Sequence, residues 1–239
     1  MAGGGLALLH HRVTGLYCSA QEQVPPCVGR YQRGWLRQHM GRSGFNLLPF
    51  MTLDVPAMTV FRTLLPAEAG RYADHLLRLP RGDRRARFMG GMSDDAVRAY
   101  VDGIDWAHAT ILVALIGGEV RAAVELRRDP SRGERAELAI TIEPDWQGQG
   151  VGSTMVRRAM VLARNRGMGR MMLFCLGDNH RMLRIAGRLD ARVTFDCGEV
   201  VCDFDLPPAD AFSLTLEAMD RGSTALTMML DPGGLPRAA

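Results

Sequence analysis

The sequence predicts an α/β (α+β) fold, a mixed sheet with helices on both faces. Two strand pairs are joined by short glycine turns, one at Gly117-Gly118 and one at Cys197-Gly198. Between them, a strand, a glycine-rich turn, a long helix and another strand follow in direct succession. Tight turns require antiparallel pairs and the β-α-β crossover requires a parallel one, so the sheet is mixed. The order read along the chain is β-α-α-β-β-β-α-β-α-β-β.

Regular pattern begins near Met58. Thr59-Val60-Phe61-Arg62-Thr63-Leu64-Leu65 reads as a strand. Pro66 suits the first turn of a helix whose apolar stripe is Ala69, Tyr72, Ala73, Leu76 and Leu77. A basic knot, Arg81 to Arg87, reads as a solvated face or as anion contacts. Ser93 is an N-cap with Asp94 and Asp95 in the favourable first turn. Thr110 to Ile116 is a buried strand, and Glu119 to Arg127 returns as the second arm of a hairpin. Glu137 to Ile142 is the next strand. The long helix runs from Gly152 to Arg166, with Gly167 as its C-cap glycine. Arg170–Leu176 is a strand, Asn179–Leu189 a helix, and Arg192–Asp196 and Glu199–Leu206 are the last strands. Ala209 to Met219 is helix-like, and the tail from Pro232 is loose.

This organisation divides the chain into a weakly patterned extension over residues 1–57, a domain over 58–206, and a helical extension and tail over 207–239. The first segment reads either as a short extension or as a miscalled start, with Met51 or Met58 as the true one.

A chain of 239 residues with 47% hydrophobic and 23% charged residues is globular, not disordered or fibrous. No apolar run reaches the ~18 residues a membrane span needs, and the first residues lack the basic start of a secretory signal. A net charge of +3 is too weak to argue for nucleic acid, and Arg81–Arg87 lacks interleaved aromatics apart from Phe88. All 29 basic residues are arginine, as a GC-rich genome would give. The five cysteines, Cys18, Cys27, Cys175, Cys197 and Cys202, form no CxxC pair, and His180 has no partner at metal spacing. No metal is expected, and the scattered thiols fit a reducing cytoplasm.

The chemistry concentrates in Gln147-Gly148-Gln149-Gly150-Val151-Gly152, which joins a strand directly to a helix. Glycines there allow unusual dihedrals and close backbone approach, and the helix start presents free N–H groups and a positive dipole end. The turn is either a phosphate cradle, with Ser153 and Thr154 as added donors, or a plain tight βα turn. It is not a Walker A loop, since no Gly-Lys-Ser/Thr follows, and its GxGxG spacing is not a Rossmann fingerprint.

Gln147 to Gly152 resembles the Q/R-x-x-G-x-G/A signature of GNAT-superfamily acetyltransferases. It lies between the fourth strand and third helix of that family's element order, and Asn179 falls at the family's recurrent asparagine. The resemblance covers Thr59 to Leu206. Leu77-Arg78-Leu79-Pro80, Asp83-Arg84-Arg85, Arg87-Phe88, Ala136-Glu137-Leu138-Ala139 and Asp145-Trp146-Gln147-Gly148 are similar to the acetyltransferase domain of bacterial protein-lysine acetyltransferases.

The resemblance implies the GNAT fold, with a mixed, mostly antiparallel central sheet, and acetyl-CoA as cosubstrate. The amides of Gln147, Gly148, Gln149, Gly150, Val151 and Gly152 would hold the pyrophosphate. The backbone of Ile140, Thr141 and Ile142 would pair with the pantetheine arm in a splay between this strand and Arg170–Leu176, beside Asn179. Glu137 takes the position of the base glutamate. By itself it reads as a solvated strand carboxylate or ion-pair partner. Glu143, the second candidate base, abuts Pro144 and is expected at the surface. The family's helix tyrosine, a general acid, is replaced by Ala186, and Cys175 is expected to be a buried strand thiol rather than an acyl carrier. The implied function is N-acetylation of a primary amine, on a protein lysine or a small molecule, by direct attack in a ternary complex. A non-catalytic acyl-CoA-binding sensor is the alternative, favoured by Ala186 and opposed by Glu137. No nucleic-acid or membrane partner is expected, and the chain is expected to be a monomer or homodimer.

Overall fold

Ala109–Ile116 is buried along its whole length, so it must be covered on both faces. In the computed structural model, which describes Pro56 and residues 59–128, 134–196 and 198–230, it is the second strand of a seven-stranded sheet. The strands are β1 (Val60–Thr63), β2 (Ala109–Ile116), β3 (Glu119–Arg128), β4 (Arg135–Ile142), β5 (Arg170–Leu176), β6 (Arg192–Asp196) and β7 (Glu199–Asp205). Their order is β1-β2-β3-β4-β5-β7-β6, antiparallel throughout except for the parallel pair β4–β5. The mixed, mostly antiparallel sheet is therefore as expected.

The helices are α1 (Ala69–Arg78), α2 (Arg81–Phe88), α3 (Asp94–Asp102), α4 (Val151–Asn165), α5 (His180–Arg188) and α6 (Ala211–Leu230). Alternation along the strands divides the buried apolar residues into two cores. Leu112, Ala114, Val124, Leu138, Met171 and Leu173 join α4 and α5 on one face. Ile111, Val113, Leu115, Val120 and Ala123 join α1 and α3 on the other. A β-bulge at Arg121 makes the register of β3 shift between Ala114 and Leu115 of β2. That extra residue explains why Val120 and Ala122, two apart, serve opposite cores.

Ser93 caps α3 as expected, accepting a hydrogen bond from the Ala96 amide at 3.2 Å. Two readings need correction. The basic knot is the helix α2, which its run of arginines conceals because it carries no apolar stripe. Its arginines are also not merely solvated: Arg84 binds Asp94 and the Leu77 carbonyl, and Arg87 binds Glu125. The C-terminal helix runs on to Leu230 instead of ending at Met219. It docks through polar groups, with Ser213 and Glu217 on Asn165 and Asp220 on Arg158. Most of residues 1–57, Cys197 and the tail from 231 lie outside the described residues, and the domain boundaries remain expectations. Among the described residues no helix is long and apolar enough to cross a membrane.

The pairing of β4 positions the site. Along β3 its ladder runs from Arg128↔Ala136 to Ala122↔Ile142. Along β5 it runs only from Arg135↔Arg170 to Leu138↔Leu173. Beyond Leu173, β5 stays with β7 as far as Leu176↔Glu199. The two central strands therefore part after Leu138, and Ala139–Ile142 keep a strand neighbour on one edge only.

Candidate active site

The glycine turn stands at the open end of this fork. Gly148 has φ +76° and Gly150 φ +75°, a region that side chains with a Cβ avoid. Gly150 is the N-cap of α4 and provides no side-chain cap, so the first-turn amides face outward for an external acceptor. Together with the helix dipole, this geometry favours a negatively charged group at the turn. Thr154 is not an added donor, because its hydroxyl donates to the Gly150 carbonyl at 3.1 Å. Gly152 allows α4 to approach closely: a Cβ there would lie 2.8 Å from Cδ1 of Ile142 and 3.1 Å from Cδ1 of Ile185.

Gln147 ties the walls of the fork together. Its Nε2 donates to the Ile142 carbonyl at 2.8 Å and to Asp83 of α2 at 3.1 Å. Its Oε1 accepts from Arg181 of α5. Gln149 donates to the Asp145 carbonyl at 2.6 Å. Asn179 is the N-cap of α5, accepting from the Met182 amide at 3.1 Å. Asp83 and Arg181 thus meet at Gln147 beside the turn, two contacts that no spacing in the sequence indicated.

Glu137 is half-buried and lies among the last paired residues before the fork, opposite Arg127 on β3 and Met172 on β5. Ala136 and Leu138 point into the α4 core, so Glu137 points to the other face, the one α1 and α3 occupy farther along the sheet. Beside it is a buried cluster that sequence reasoning missed. Glu125, 3% exposed, accepts from Tyr72 at 3.0 Å, from Tyr100 at 2.7 Å and from Arg87 at 2.8 Å, and pairs with Arg127. Burial pushes the Glu125 carboxyl up, but Arg87 and Arg127 outweigh it and hold it below the usual range. Burial also pushes the Tyr100 hydroxyl up to about 12, so it stays a neutral donor.

Glu143 is not at the surface. It is 7% exposed and bound by His75, Arg78 and Arg121, at 3.1, 2.8 and 2.8 Å. Burial alone would raise its pKa, but these three donors hold it at about 2. A carboxylate held so strongly ionised is a poor proton acceptor, which leaves Glu137 as the candidate base at the fork. Ala186 is 1% exposed and packs into the α4 core, so it presents nothing to the fork. Cys175 is buried on that same face beside Cys202, as a core thiol would be.

The sheet is forked at its parallel pair, and an uncapped glycine-rich helix start stands at the fork. Residues 78–190 match the sequence profile of the acetyltransferase (GNAT) family. Acetyltransferase Pat of Mycolicibacterium smegmatis is 33% identical over 129 residues, which are 53% of this chain and 39% of Pat. The chain thus spans well under half the length of that relative. Among solved structures, the GNAT domain of S. lividans PAT is 25% identical with a TM-score of 0.54, covering 61% of this chain and 89% of that one. A cAMP-binding acyltransferase from Mycobacterium smegmatis is 27% identical with a TM-score of 0.50, covering 75% of this chain and 55% of that one.

Proposed function

We propose that this chain transfers the acetyl group of acetyl-CoA to a primary amine, with a lysine side chain of another protein as acceptor. The observation that carries the reading is the fork after Leu138 and Leu173 with the Gly148–Gly152 turn at its open end. The resemblance of Leu77-Arg78-Leu79-Pro80, Asp83-Arg84-Arg85 and Ala136-Glu137-Leu138-Ala139 to bacterial protein-lysine acetyltransferases supports a protein acceptor.

The first-turn amides of α4 and those of the turn suit the pyrophosphate, and the free edge of Ile140–Ile142 suits the pantetheine arm. Acetyl-CoA supplies an activated acyl thioester. Everything else falls to the chain. A lysine amine with a pKa of ~10.4 is neutral in only about one molecule in 2,500 at pH 7, so attack requires proton removal. Glu137, on the face where the acceptor enters, takes that proton directly or through water. A backbone amide of the cofactor strand, near Ile142, meets the developing oxyanion. With Ala186 in the core, the thiolate leaves without a tyrosine acid, which a thiol pKa of ~8.5 allows.

The test is thiol release from acetyl-CoA against lysine peptides, polyamines, amino acids and aminoglycosides. Lysine peptides should give turnover above the hydrolysis background. Binding of acetyl-CoA with no turnover on any amine would favour a sensor, and turnover on small amines alone would overturn the protein acceptor.

A further inference from the structure

The open half of β4 has lost the support of β5, yet the reaction needs it in register with the cofactor to a fraction of an ångström. Thr141 in this half and Glu143, just beyond its end, point to the α1 face, and both end on one side chain. His75 of α1 is completely buried. Its Nε2 lies 2.8 Å from the Thr141 hydroxyl and its Nδ1 lies 3.1 Å from Glu143. Burial lowers the pKa of His75, with Glu143 opposing, so the neutral ring donates from Nδ1 to the carboxylate and accepts from Thr141.

Two arginines complete the brace. Arg78, one turn after His75 on α1, donates to Glu143 at 2.8 Å and to the Val120 carbonyl at 2.6 Å. Arg121, the bulged residue of β3, donates to Glu143 at 2.8 Å, and its carbonyl accepts from the Glu143 amide at 2.9 Å. The bulge thus brings a guanidinium to the end of β4. Glu143 draws together α1, β3 and β4, and Ile142 lies between the two braced residues.

We propose that His75 is a positioning residue: through Thr141 and Glu143 it fixes the free half of β4 from the face of the sheet, in place of the missing β5 edge, and so sets the backbone on which acetyl-CoA binds. His75 touches neither the cofactor nor the acceptor. The inference rests on the reading of Ile140–Ile142 as the cofactor strand.

The bond can be cut from either side. Thr141→Val keeps the shape of residue 141 and removes its hydroxyl. His75→Asn keeps an amide near the Nδ1 position and removes the group that meets Thr141. Acetyl-CoA dissociation constants are measured by calorimetry for the parent, both variants and the double variant. Melting temperatures, saturating turnover and amide exchange across β2 and β4 are measured alongside. If His75 acts through this bond, each single variant binds acetyl-CoA about tenfold or more weakly, and saturating turnover of His75→Asn stays within about threefold. Exchange rises at residues 140–143 and not in β2, and the double variant binds no worse than the weaker single one.

A lowered melting temperature with unchanged acetyl-CoA affinity means that His75 only stabilises the fold, and the inference falls. If His75→Asn does not fold, Thr141→Val alone decides, by the same affinity criterion. A parent that binds no acetyl-CoA overturns the reading of the site, and this inference with it. A parent that binds, with variants that bind equally well, overturns the inference alone.

Discussion

Gly150→Glu puts a β-carbon on a residue at φ +75° and a carboxylate beside the proposed pyrophosphate site. The backbone term is about 1–2 kcal/mol for a left-handed residue, which in a domain of this size lowers Tm by about 2–8 °C. The electrostatic term is larger. A unit charge about 5 Å from a phosphate charge, at an effective dielectric of ~20, is repelled by about 3 kcal/mol, or more than 100-fold in affinity. At an acetyl-CoA concentration of about 100 Kd, binding stabilises the parent by about 2.7 kcal/mol and raises Tm by about 5–11 °C. The same concentration should raise the Tm of the variant by about 1 °C or less. Gly150→Ala separates the terms, since it carries the strain without the charge and should keep most of the ligand shift. Thermal melts with and without acetyl-CoA read both. A Gly150→Glu protein that retains the full shift refutes the cradle and places the pyrophosphate elsewhere.

Glu143 has a folded pKa of about 2, below its unfolded value, so its contribution to stability is complete above about pH 4.5 and is lost as pH falls towards 2. The Tm of the parent should therefore drop steeply across that window. Glu143→Gln should start lower at pH 5 and fall less steeply, whereas parallel curves would contradict the assignment. Gly152→Ala, meeting the tips of Ile142 and Ile185, should fold with a lowered Tm and weakened acetyl-CoA binding. Gly187→Ala, in α5 with nothing within 4 Å of its added Cβ, should leave binding unchanged and stability equal or slightly higher. Equal effects of the two glycine substitutions would mean that close packing of α4 on β4 does not shape the site.

Features written in short stretches were legible in the sequence. The Ser93 cap, the Gly117-Gly118 hairpin and the strand–glycine turn–helix unit depend on neighbours within a few residues, so local pattern reveals them. Glu143 was misread because its burial is made elsewhere: Arg78 and His75 precede it by 65 and 68 residues, and Arg121 by 22. Next to a proline at a strand end, a glutamate looks solvated. The Glu125 cluster escaped notice for the same reason, since its tyrosines and Arg87 come from three different helices. α2 was hidden because it is anchored by polar contacts, which leave no apolar periodicity to read. The bulge at Arg121 leaves no mark in composition and shows only in Val120 and Ala122 serving opposite cores.

The central claim is that Glu137 at the fork activates an amine acceptor for acetylation. The measurement that tests it is the pH–rate profile for thiol release from acetyl-CoA with a lysine peptide, for the parent and for Glu137→Gln, beside their acetyl-CoA dissociation constants. The substitution keeps the shape of the side chain and removes its basicity. Affinities should be nearly equal, turnover should fall by ~10²–10⁴ near neutral pH, and high pH, where more of the amine is already neutral, should rescue it in part. A Glu137→Gln protein with parental turnover across the whole profile would contradict it.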